Sequence, residues 1–180
     1  MNLTTAAFRP QDEDELQTAL HECTHVSPIG DCPEDPHGPI GDWEVSAVTN
    51  MRNMFAYLPS FNQDLSKWDV SRVTDMWFMF ARCAAFNQGV SEWKVSKVTD
   101  MGYMFSGASA FNQDLSKWDV SAVANMAFMF YEASAFKREL CGVAWVNSKA
   151  DKSDMFTDSL GSISSTACTT ARPGYREGYG

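Results

Sequence analysis

Histidine is nearly absent from this chain. There are three in 180 residues, and none follows His37. Ser–His and Cys–His nucleophilic chemistry needs an imidazole base beside the nucleophile, so the long stretch after His37 contains no such pair. Basic residues are also scarce, 14 Lys and Arg against 23 Asp and Glu, for a net charge of −9. No basic stripe forms, which argues against nucleic acid as a partner. No apolar run approaches the eighteen or more residues of a membrane-spanning helix, and no glycine-rich phosphate loop is present. Residues 1–10 have neither the basic start nor the apolar centre of a secretion signal. Export would therefore rest on a leader already removed or on another route. No cofactor is implied.

The charge that is present is unevenly placed. Ten acidic residues up to Glu44 face Arg9 alone, whereas thirteen acids and thirteen bases balance beyond it. Asp12-Glu13-Asp14-Glu15 precedes Leu16, Ala19, Leu20 and Cys23, the i, i+3, i+4, i+7 spacing of one helix face. Asp12 as N-cap, with Glu15 three residues on, has the form of a capping box. Such a helix is expected to act as a lid on the first unit of the chain's repeats, with its acids facing water. Residues 27–41 are rich in proline and glycine and are expected to form a loop. The spacing of His21, Cys23, His25, Cys32 and His37 fits none of the usual zinc patterns. A Cys23–Cys32 disulfide is the expectation instead.

The body of the chain is repetitive. Residues 61–71, Phe-Asn-Gln-Asp-Leu-Ser-Lys-Trp-Asp-Val-Ser, recur unchanged at 111–121, with a degenerate copy at 86–96. The period is therefore 25 residues, and such self-similarity marks a stack of small units that cannot bury their apolar faces alone. Units open at Trp43, Trp68, Trp93 and Trp118 with Trp-x-Val-Ser-x-Val, which predicts a short strand. Asn50, Asp75, Asp100 or Asn125 comes next as a helix N-cap. Sets such as Met76, Met79, Phe80 and Cys83 then predict a helix of about two turns. A return loop carries columns of Phe (61, 86, 111, 136), Asn (62, 87, 112) and Gln (63, 88, 113). The amides are expected to bond to the backbone of the neighbouring unit. The expected fold class is α/β, a stack of about five strand–helix coils.

The pattern Trp-Asp-Val-Ser-x-Val-Thr-Asp-Met-x-x-Met-Phe, then Phe-Asn-Gln-Asp-Leu-Ser, resembles the BspA-like leucine-rich-repeat surface proteins, whose repeat domain also occurs in Mycoplasma lipoproteins. The resemblance covers about residues 41–140. It implies a leucine-rich-repeat-like solenoid, usually exported and used for adhesion or protein contact, and it supplies no catalytic residue.

The chain divides into four segments. Residues 1–42 form the acidic cap and loop, 43–142 the four repeats, 143–168 a degenerate fifth repeat acting as a C-terminal cap, and 169–180 a flexible polar tail. Cys141 and Cys168 bracket the fifth unit and are expected to be disulfide-bonded. Cys83 remains as a buried thiol. Two disulfides imply an oxidising compartment. The tryptophan column is expected to pack in the core. Binding is expected where the copies disagree on the surface, with Trp77, Lys94, Lys97, Arg72 and Arg52 as candidate contacts. The expected function is a non-catalytic scaffold that binds protein, or else glycan, at a cell surface or outside the cell. The alternative is a permanent structural or docking subunit of a larger, membrane-associated assembly in an oxidising organelle lumen.

Overall fold

A computed structural model of the chain describes residues 7–32 and 36–168; the flexible tail expected at 169–180 lies outside them. Helix α1, Glu13–Val26, starts where the acidic run places it. The Asp12 side chain accepts the Glu15 N–H at 2.9 Å. Glu15 reaches back to the Gln11 N–H at 2.8 Å, one residue before the donor of a standard capping box. Leu16, Ala19, Leu20 and Cys23 form the buried face of α1, and Cys23 is disulfide-bonded to Cys32.

The repeats themselves are neither strands nor helices, which overturns the expected α/β leucine-rich-repeat-like solenoid of strand–helix coils. Besides α1 and a single 3-10 turn, Ile40–Asp42, the regular elements among the described residues all lie near the C-terminal end. They are a two-residue strand β1, Glu139–Leu140, a short helix α2, Val143–Asn147, and a strand β2, Ser162–Ile163, parallel to β1. The repeats are built from turns instead. In residues 51–58, the Met54 N–H bonds to the Met51 carbonyl and the Leu58 N–H to that of Phe55. The third residues of these turns, Asn53 and Tyr57, have φ of 58° and 62°. A helix needs negative φ throughout, whereas a type II turn needs a positive φ at its third position.

Every second N–H from Met51 to Tyr57 leaves the unit altogether. Met51, Asn53, Phe55 and Tyr57 donate to Asp75, Trp77, Met79 and Ala81 of the next unit at 2.8–3.0 Å. A helix would consume these donors internally and leave successive units joined by side chains alone. Left-handed backbone at a residue other than glycine costs about 1–2 kcal/mol. A hydrogen bond to the next unit contributes about 1 kcal/mol and spares a larger desolvation penalty. The expected strand is bent for a similar reason: Val48, Val73, Val98 and Val123 each donate to the valine three residues earlier. The expected helix caps serve turns. Asn50, Asp75, Asp100 and Asn125 each accept the N–H two residues on. These four and Asp151 also form a run of isolated parallel bridges, unit to unit.

The core lies inside this stack as side-chain columns. Phe55, Phe80, Phe105, Phe130 and Phe156 stack with centroids 5.1–5.7 Å apart and planes within 6°. A second ladder, Phe61, Phe86, Phe111 and Phe136, lies against the first. The tryptophans that open the units are buried, at most 4 % exposed. The indoles of Trp68, Trp93, Trp118 and Trp145 donate to the carbonyls of Ile40, Leu65, Val90 and Leu115, each three residues before the opening tryptophan of the preceding unit. The Asn and Gln columns bond as expected: Asn62 Oδ1 accepts the Asn87 N–H at 3.0 Å, and Gln88 Nε2 donates to the Asn62 carbonyl at 3.0 Å. Cys141 and Cys168 are disulfide-bonded.

Candidate functional site

The turns decide which side chains face out. In the run Met-x-x-Met-Phe, the two methionines and the phenylalanine point inward and are buried in every repeat. The second and third positions of the turn are displaced from the core. Stacking at 25 residues therefore aligns Arg52, Trp77, Gly102 and Ala127 in one outer column and Asn53, Phe78, Tyr103 and Phe128 in the next. The second turn adds Tyr57, Arg82, Gly107 and Glu132, with Tyr131 beside the last.

These positions assemble an aromatic face. Trp77, Phe78, Tyr103, Phe128 and Tyr131 are half-buried and Tyr57 is 64 % exposed. The rings touch across units: Tyr57 to Phe78 at 5.7 Å, Phe78 to Tyr103 at 5.7 Å, Trp77 to Tyr103 at 6.0 Å, and Tyr103 to Phe128 at 4.6 Å. The Arg52 guanidinium sits 4.2 Å from the centroid of the Trp77 ring and bonds Asp75 at 2.9 Å. Gly102 makes room for the indole, because a Cβ there would lie 3.1 Å from Trp77 Cδ1 and 2.7 Å from Asn125 Nδ2. Arg82 reaches past Gly107 to Glu132 at 3.6 Å. Half-buried aromatic and arginine side chains on a rigid frame are the composition that carries binding energy at protein interfaces.

Two of the five candidate contacts, Arg52 and Trp77, therefore meet in this face. The other three do not join it through any contact. Arg72 and Lys97 are exposed at equivalent positions of successive units. Lys94 lines a separate shallow hollow with Ser91, Glu92, Lys117 and Asp119, where Lys117 pairs with Glu92. Sequence reasoning missed Phe78, Tyr103 and Phe128. The available signal was a large aromatic at one fixed position of three successive copies, left over by the helical template.

The remaining polar positions are turn caps. Asp64, Asp69, Asp114, Asp119 and Asp151 each accept the N–H of a serine two residues on. The hydrogen bonds from Ser71 and Ser121 hold the Asp69 and Asp119 carboxyls below the usual range. Cys83 is buried, and burial pushes its thiol up to about 12. Its Sγ lies 2.7 Å from the Phe55 carbonyl. A thiol so far from ionisation is a packing group rather than a nucleophile. Cys23 and Cys32 are spent on their disulfide, and among the described residues no His, Cys, Asp and Glu cluster forms a metal site. No described helix is long and apolar enough to cross a membrane.

Comparison with known proteins adds one match. The family described as "Mycoplasma protein of unknown function, DUF285" matches residues 29–145 and 73–164. The overlap reflects the internal repeat. No curated protein and no solved structure matches the chain.

Proposed function

The chain belongs to the family of Mycoplasma proteins of unknown function DUF285, and from that premise we propose that it is a non-catalytic interaction module that binds a protein partner through its aromatic face. The observation that carries this reading is the line of part-exposed rings at the second and third turn positions, outside the buried columns. The inner Met, Phe and Trp columns form the buried core of the stack, and these part-exposed rings lie outside it. Protein is favoured over glycan because sugar rings stack on open, flat aromatic faces. Here Tyr103 and Phe128 lie against each other within 9°, and Arg52 covers one face of Trp77. Faces covered in this way leave less open ring area for a sugar to stack on.

The two disulfides fit an oxidising location, and the resemblance to BspA-like surface proteins points to the outside of a cell. Immobilised chain exposed to native extract tests the proposal. A specific partner should be retained by the unaltered chain and lost at least tenfold from a Trp77→Ser/Tyr103→Ser variant of unchanged fold. Retention insensitive to both changes would sink the reading, and selective capture on a glycan array would replace protein with sugar. A partner recovered only in fixed stoichiometry, without exchange, would identify a permanent subunit of a larger assembly.

A further inference from the structure

We infer that the segment received by this face is an extended stretch of a partner protein carrying a lysine or arginine beside apolar side chains, with the cation seated at the fifth-unit end. This rests on the reading of the aromatic face as a docking surface and adds the chemistry of its occupant.

The argument comes from the charges left over along the face. Arg52 is spent on Asp75 and on the Trp77 ring. Arg82 is spent on Glu132, its stem lying over Gly107, where a Cβ would sit 3.6 Å from Arg82 Cγ. The third turn positions then continue into the fifth unit as Asp154 and Asp158. Register fixes this: the Phe128 N–H bonds to the Ser153 carbonyl and the Glu132 N–H to that of Thr157, so Asp154 comes after Phe128 in its column and Asp158 after Glu132. Both aspartates are exposed, and neither has an ion-pair partner among the described residues. Asp154 receives only the Thr157 hydroxyl, at 3.2 Å.

Tyr131 stands edge-on to Phe128, 5.7 Å away. The charge of Glu132, then partial burial and a hydrogen bond to Glu132, and last the charges of Asp158 and Asp154, raise its hydroxyl above the ordinary range. Asp154 and Asp158 therefore continue the two outer columns at the end beside Tyr131, while Glu132 is already paired with Arg82. An apolar partner docked along the rings would strip water from Asp154 and Asp158 without replacing it, which is costly. A cationic side chain there satisfies the carboxylates and meets the aromatic rings favourably. The line of rings from Tyr57 to Phe128 matches roughly five residues of extended chain at about 3.3 Å per residue. A second copy of this chain is a poor occupant, because its net charge of −9 opposes association of like with like.

A displayed library of random decapeptides selected on the full chain tests this. The selected pool should be enriched in Lys and Arg and depleted in Asp and Glu. Individual peptides should bind at least tenfold more weakly to an Asp154→Asn/Asp158→Asn variant, and more weakly as salt rises. Asparagine is nearly isosteric and tolerates the left-handed backbone found at both positions (φ 52° and 59°), so the variant keeps its fold. Binding is read from the anisotropy of a fluorescently labelled peptide, a signal that the unaltered chain and both variants report alike. Peptides that lack cationic bias, or that bind the double variant equally well, overturn the inference. If those same peptides still lose binding to Trp77→Ser/Tyr103→Ser, the docking face itself stands. If neither variant matters, or no peptide is enriched, both readings fall.

Discussion

Cys83 shows how far a single position is governed by the stack. It occupies the last apolar place of its turn segment, where neighbouring units have Leu58, Ala108 and Ala133. It is the free thiol of the chain, fully buried, with ionisation pushed up to about 12. Reactivity requires the thiolate and access, and here both are withheld. Iodoacetamide at pH 8 should leave Cys83 unmodified in the folded protein and alkylate it fully in urea, as read by mass spectrometry. Prompt alkylation of the native protein would refute this packing.

Turns replace the expected strand as well as the expected helix, and the turns that follow Trp68 and Trp118 depend on small polar caps. Asp69 and Asp119 accept from the serine hydroxyls and N–H groups of Ser71 and Ser121, which lowers both carboxyls. A group with a depressed folded value stabilises the fold above its unfolded value, about 3.9 for aspartate. That contribution disappears as the pH falls through the lower folded value. The melting temperature should therefore drop on acidification below about pH 4. An Asp69→Ala/Asp119→Ala variant should start lower at pH 7 and show a flatter acid limb. An acid limb identical to that of the unaltered chain would show that these caps do not carry the effect.

As a whole, the molecule is a one-dimensional stack whose units contact chiefly their neighbours, so its ends are where it opens first. Helix α1 covers one end, tied by Cys23–Cys32, while Cys141–Cys168 joins chain positions 27 residues apart at the other. The chain-entropy model assigns a loop of that size about 3.5 kcal/mol. Replacing Cys141 and Cys168 with serine should lower unfolding free energy by about that amount. Amide exchange should accelerate first in the fifth unit and only later around Phe80 and Phe105. Uniform acceleration along the chain would instead mean that the stack unfolds as one cooperative block.

The 25-residue period, the register of the columns and the membership of the core were legible in the residues. Trp68, Met76, Phe80 and Phe86 recur because each packs on its own equivalents, and burial is a direct consequence of that recurrence. The same holds for the amide columns and for both disulfides. Whether Met76, Met79, Phe80 and Cys83 lie on a helix was not legible. Two consecutive four-residue turns bury the same i, i+3, i+4, i+7 positions as two helical turns, and apolar spacing carries no information about the sign of φ. That choice was made by N–H groups bonding to carbonyls in the next unit rather than four residues back. With it came the left-handed positions of Phe78, Tyr103 and Phe128, and therefore the aromatic face, which the recurrence of the three aromatics signals but the apolar spacing within one unit does not.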